Sequence, residues 1–108
     1  FHLSNRVWDS VIKWRHFAKT AVGEQFVCAA DSISANIAEG FGRYGKKDKI
    51  KFYRYSYGST MESLDWNEKT YARQLVSEAE YQYVLKTLKG LQKSIHQLIK
   101  FTNEKLKE

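Results

Sequence analysis

The chain has 108 residues, 43% of them apolar and 15% aromatic, which suits a single domain with its own core and argues against compositional disorder. It contains no proline and one cysteine, Cys28, so no internal disulfide can form, long uninterrupted helices are favoured, and a reducing, cytoplasmic setting is the natural expectation. The net charge of +6 favours polyanionic partners, and no apolar run is long enough for a transmembrane helix.

In chain order, the first predicted helix runs from about Ser4, a candidate N-cap, to Ala21, with Val7, Val11, Trp14, Ala18 and Ala21 on one stripe and Gly23 as its break. The second covers about Glu24 to Glu39. Phe26, Ala30, Ile33 and Ile37 form its stripe, small residues flank them, and Gly40 suits a positive-φ C-cap. The third spans about Lys46 to Leu75. Ile50, Tyr53, Tyr57, Met61, Leu64, Tyr71 and Leu75 make one stripe, and Phe52, Ser59, Ser63, Trp66 and Thr70 a narrower second one. A helix with two such stripes commonly has two partners, so Phe52, Ser59 and Trp66 are the candidate oligomer interface. The fourth opens with a capping box, Ser77 at the N-cap and Glu80 three residues on, and carries a regular stripe from Tyr81 to about Leu106. Four helices with short connections predict an all-α, antiparallel up-down four-helix bundle in one domain, residues 1–108.

Charge is segregated along this frame. Residues 43–54 hold Arg43, Lys46, Lys47, Lys49, Lys51 and Arg54 against Asp48 alone, interleaved with Tyr44, Phe52, Tyr53 and Tyr55. Residues 62–80 hold five acids against Lys69 and Arg73, and residues 86–108 return to lysine. Cations of this kind hold phosphates without reading sequence, and Tyr44 or Tyr55 is placed to stack on an unpaired base. The six basic residues are therefore the candidate nucleic-acid contacts, and Lys100, Lys105 and Lys107 extend the face.

Catalytic and metal chemistry find little support. No Glu has a His three residues later, as an inward-facing di-iron pair needs, and His2, His16 and His96 are scattered. Cys28 has no local partner signature, and Ser32 and Ser34 lack a nucleophile-elbow context. Gly40, Gly42 and Gly45 spell G-x-G-x-x-G, but a helix precedes them where a dinucleotide site needs a strand. A non-enzymatic protein without metal or cofactor is expected. Ser32, Asn36 and Glu39 share one helix face and, with Gly40 and Gly42, read as a structural corner between the second and third helices; a small-ligand pocket near Asn36 and Glu39 is the alternative.

The stretch Ser32–Arg43, SISANIAEGFGR, resembles the signature of the four-helix-bundle family named for proteins encoded in intervening sequences of bacterial 23S rRNA genes. The basic segment Lys46–Phe52, the Val7–Trp8 and Ala29–Ala30 pairs and Ser56–Leu64 fit the same pattern. Ser34 departs from it, since many members have proline there. The resemblance implies an antiparallel four-helix bundle assembling as a ring-like homo-oligomer, a pentamer favoured. It also implies kinship with the accessory proteins of diversity-generating retroelements, which bind nucleic acid and associate with a reverse transcriptase. The combined expectation is an oligomeric, basic bundle binding RNA or DNA non-specifically. A protein-interaction scaffold, for example for a reverse transcriptase and with no direct nucleic-acid role, is the alternative.

Overall fold

The computed structural model describes residues 2–106. It comprises α1 (His2–Val11), α2 (His16–Ala18), a π turn (Lys19–Gly23), α3 (Glu24–Gly42), α4 (Lys46–Ala72) and α5 (Glu78–Lys105), with no strand among the described residues. The helices lie side by side in a rod of 49 × 22 × 18 Å.

Neighbours run antiparallel, and the hydrogen bonds between them show it. Ser4 donates to the Ala30 carbonyl at 3.3 Å, while Val11, at the other end of α1, sits against Gly23. Ser56 of α4 donates to the Ile33 carbonyl of α3 at 2.7 Å, and Lys49 donates to the Phe41 carbonyl at 3.1 Å. Asn67 donates to the Tyr81 carbonyl at 3.2 Å, joining the far end of α4 to the start of α5. Arg6 ties α1 to α5 through Glu80, at 2.9 Å. That carboxylate, foremost by hydrogen bonding, raises the Arg6 pKa above its ordinary value, and Arg6 also lies over the Tyr83 ring at 4.0 Å.

The apolar core is Leu3, Val7 and Val11 of α1, Phe26, Ala30 and Ile33 of α3, and Val84, Leu88 and Ile95 of α5. The contribution of α4 differs in kind. Its buried positions are Tyr53, Ser56, Thr60, Ser63, Asn67 and Thr70, at alternating spacings of three and four. The stripe expected through Met61 and Tyr71 is displaced, and both of those side chains are exposed. Small hydroxyl residues let α3 come close, and the polarity of all but Ser63 is met: Ser56 bonds Ile33, Thr60 donates to the Ser56 carbonyl at 2.9 Å and Thr70 to the Asn67 carbonyl at 2.8 Å.

Gly40 has a different role from the one expected. Its helix continues to Gly42, and no described glycine has positive φ. Gly40 is needed for space: a Cβ there would press into the Tyr53 ring, 2.7 Å from Cδ1, and stand 3.2 Å from the Lys49 carbonyl. The tyrosine ring is 1% exposed and has nowhere to move, and burial holds its hydroxyl pKa above the ordinary value. Gly42 has nothing near such a Cβ.

The expected first helix, Ser4–Ala21, is two helices. α1 ends at Val11, and the chain turns through residues 12–15, with Lys13 N–H bonding Ser10 and Trp14 N–H bonding Val11, before Arg15 extends and α2 begins. Gly23 does not break a helix. It lies within a continuous run of α2, π turn and α3, and its missing side chain leaves room for Val11 and Trp14. Ser4 lies inside α1 and bonds across to α3 instead of capping.

α5 matches its expected start. Ser77 accepts from Glu80 N–H at 3.1 Å. Before it, α4 closes in a Schellman motif: Leu75 N–H bonds the Thr70 carbonyl, Gln74 N–H bonds the Tyr71 carbonyl, and Gln74 takes φ 59°.

Two substitutions test the seam. Gly40→Ala should destabilise by about 1–3 kcal/mol despite the roughly 1 kcal/mol that alanine gains over glycine within a helix, and Tyr53→Leu in the same chain should recover part of the loss. Urea titration of the single and double variants measures both. Ser63 is fully buried and its hydroxyl has no partner among the described residues. Ser63→Ala should therefore leave stability unchanged or raise it by about 1 kcal/mol in the same titration.

Candidate nucleic-acid interface

The six basic residues expected to meet phosphate divide into two groups. Lys46, Lys49 and Arg43 are engaged by the fold. α3 and α5 both end at the pole where α4 begins, so their unpaired carbonyls gather there. Lys49 Nζ donates to the Gly40 and Phe41 carbonyls at 3.4 and 3.1 Å, and Lys46 Nζ donates to the Asn103 carbonyl at 3.4 Å. Each lysine places positive charge on the negative end of a neighbouring helix. Arg43 pairs with Glu39 at 3.2 Å and lies over the Phe52 ring at 4.6 Å.

Lys47, Lys51 and Arg54 form a second group defined by exposure on one face and not by freedom from contacts, since Lys51 lies over the Phe52 ring at 5.2 Å. They are exposed, at spacings of four and three on one face of α4. That face continues through Gly58 to Met61, whose sulfur accepts from Gln92 of α5 at 3.3 Å, so it borders the seam between α4 and α5.

Across this seam lies a feature that block-wise reading of charge misses. Lys86, Lys89, Lys93, His96 and Lys100 recur at spacings of three, four, three and four, and all five are exposed. They stand opposite Val84, Leu88, Ile95 and Thr102, the buried positions of α5, and the ladder covers about 21 Å of helix at the 1.5 Å rise per residue. Gln92, which also donates to the Tyr57 hydroxyl at 3.2 Å, lies one helical step from Lys89 and from His96. The antiparallel pairing sets Lys47–Arg54 beside the C-terminal half of this ladder. Lys86, Lys89, Lys93, Lys100 and Arg54 are in no salt bridge among the described residues. Lys105 ends α5 at the same pole, and Lys107 lies outside the described residues.

Glu39, Asp48 and Glu104 lie at the basic pole, but the other acids of α4 are remote from it. Glu62, Asp65 and Glu68 occupy the far half of α4, where Asp65 pairs with Lys69 at 2.7 Å and Glu68 accepts from the Tyr81 hydroxyl. That hydrogen bond, with burial and the carboxylate charge behind it, raises the Tyr81 pKa. The Tyr81 ring stacks on Tyr71 at 4.3 Å.

The corner residues bond mainly within α3. Asn36 donates to the Ser32 carbonyl at 2.8 Å and Ser32 to the Cys28 carbonyl at 2.8 Å, while Glu39 holds Arg43. The bonds that cross from α3 to α4 come from Ser56 and Lys49. Phe52, Ser59 and Trp66 are half-buried in the monomer. Trp66 packs against the core and donates to Glu62 at 3.1 Å, and Phe52 meets Tyr55 edge to face at 5.5 Å. Among the described residues, no group of three or more His, Cys, Asp or Glu side chains could hold a metal ion, and no helix is long and apolar enough to cross a membrane.

These features define a small, basic, all-helical protein whose outer charge is concentrated on two adjacent helices. The chain belongs to the 23S rRNA-intervening sequence protein family, whose model matches residues 1–97. Its fold is similar to that of a protein of unknown function from the S23 ribosomal protein family of Bacteroides thetaiotaomicron VPI-5482, with a TM-score of 0.72 and 16% sequence identity over 91% of this chain and 98% of that one. No curated protein matches the chain.

The two groups of lysines separate by experiment. Lys49→Met should cost about 0.5–1 kcal/mol in thermal or urea unfolding, because the α3 carbonyls lose their cation. It should leave the salt dependence of any nucleic-acid binding unchanged.

Proposed function

We propose that this protein acts by binding, as a self-associating helical bundle that holds RNA or DNA through phosphates on the α4–α5 surface. The observation that carries this reading is the exposed ladder Lys86, Lys89, Lys93, His96 and Lys100 on the side of α5 away from the core, with Lys47, Lys51 and Arg54 beside it. Flexible ammonium groups repeating along a straight helix suit a polyanion and carry no base-reading geometry, so binding is non-specific in sequence. Self-association as a ring, the pentamer that the family resemblance implies, would repeat the surface and add avidity to individually weak contacts. The half-exposed flank of Phe52, Ser59 and Trp66 is the candidate subunit contact, and sedimentation of the purified chain gives the mass that tests it.

A salt titration on RNA and DNA duplexes tests the surface itself. If about six cations each neutralise a phosphate, log K should fall against log salt with a slope of roughly −5. Lys89→Ala, Lys93→Ala and Lys100→Ala together should flatten that slope by roughly 2–3 and weaken binding alike for all sequences. An unchanged slope would remove α5 from the interface. Absence of binding at low salt would favour the scaffold role, with a reverse transcriptase among the partners to test.

A further inference from the structure

Building on the phosphate-binding surface just described, we propose that it takes single-stranded nucleic acid, whose unpaired bases stack on aromatic rings at the pole where α3 and α5 end. The rings and the cations coincide there. Tyr44 lies in the turn between α3 and α4, 102% exposed, so its ring stands wholly in water. Arg43 precedes it and Lys46 follows two residues later. Phe41, at the end of α3, is 62% exposed, yet its ring is steadied edge-on by Tyr53 at 5.8 Å. Phe101, near the end of α5, is 59% exposed and adjoins Lys100 in sequence. Tyr55, further along α4, stands half in water next to Arg54 in sequence and one turn on from Lys51, steadied by Phe52.

Four large rings left exposed amid the basic end of the rod are poorly explained by folding. Tyr44 gains nothing from the core, and a cationic surface meant for duplex alone has no use for rings, since the base faces of a duplex are already stacked. A single strand offers both what the cations need and what the rings need: continuous phosphates and free base faces, joined by a flexible backbone. Aromatic stacking is tolerant of base identity, so it is compatible with binding that reads no sequence. The strand would run along the lysine ladder and place bases over the pole.

The test compares three ligands of equal length, about 20 nucleotides, by fluorescence anisotropy: oligothymidylate, an abasic strand with the same phosphates, and a duplex. Oligothymidylate should bind about tenfold or more tighter than the abasic strand, the ratio that one or two stacked bases confer. Tyr44→Leu should erase most of that advantage, Tyr44→Phe should keep it, and binding of the abasic strand and the duplex should change by less than about twofold. Because Tyr44 is wholly exposed, neither variant should alter the melting curve. Equal affinity for oligothymidylate and the abasic strand, or equal loss from Tyr44→Leu on all three ligands, overturns the stacking inference while leaving phosphate binding intact. Failure of all three ligands to bind at low salt overturns the phosphate reading and this inference with it.

Discussion

The close approach of α3 and α4 is the constraint on which the other helices depend. The Tyr53 ring fits over a glycine, and Ser56, three residues on, reaches the Ile33 carbonyl. Ser56, Thr60 and Ser63 then keep the seam narrow, because between Tyr53 and Asn67 the buried side chains of α4 are no larger than threonine. With α3 and α4 locked together, the larger apolar residues of α3 are turned toward α1 and α5, and that is where the apolar cluster forms. The bundle is therefore asymmetric: one tight polar seam, and one broader apolar core that α4 borders with Tyr57, Leu64 and Trp66.

The same antiparallel arrangement sets the electrostatics. It brings the carbonyl ends of α3 and α5 to one pole and the start of α4 between them. A lysine-rich first turn would be unfavourable for an isolated helix, whose N-terminus already carries partial positive charge. Here Lys46 and Lys49 answer the carbonyls of the neighbouring helices, so one helix's charge pattern makes sense only beside the other two. Part of the basic segment is thus structural, and the outward cations lie on the faces that remain.

Much of this is legible in the sequence, and the exceptions have physical reasons. α5 follows from its capping box and its unbroken stripe, because both signals are local. The division of the first helix at Ile12–Arg15 is not, since neither glycine nor proline marks it and the turn is stabilised by Val11 and Trp14 packing on Gly23. In α4 the buried face has the expected period but the opposite polarity: hydropathy selects Met61 and Tyr71, while close packing selects the small hydroxyls. The lysine ladder of α5 was available as a spacing of three and four, and counting charge in blocks hides it. The capping roles of Lys46 and Lys49 required knowing which helix ends meet, and no local pattern carries that.

The π turn at Lys19–Gly23 bears on where this chain can lose a residue and keep its fold. A π turn holds one residue more than the α-helical turn it replaces, and each residue of an α-helix turns the chain by about 100°. It therefore works as a phase adjuster between Phe17, which faces water, and Phe26, which faces the core. A single-residue deletion within this turn would be absorbed by its relaxing to ordinary helix, leaving the core face of α3 in register. The same deletion between Phe26 and Gly40 would rotate Gly40 away from Tyr53 and open the seam. The tolerance of this helix to losing a residue is thus set at the π turn by geometry and not by exposure.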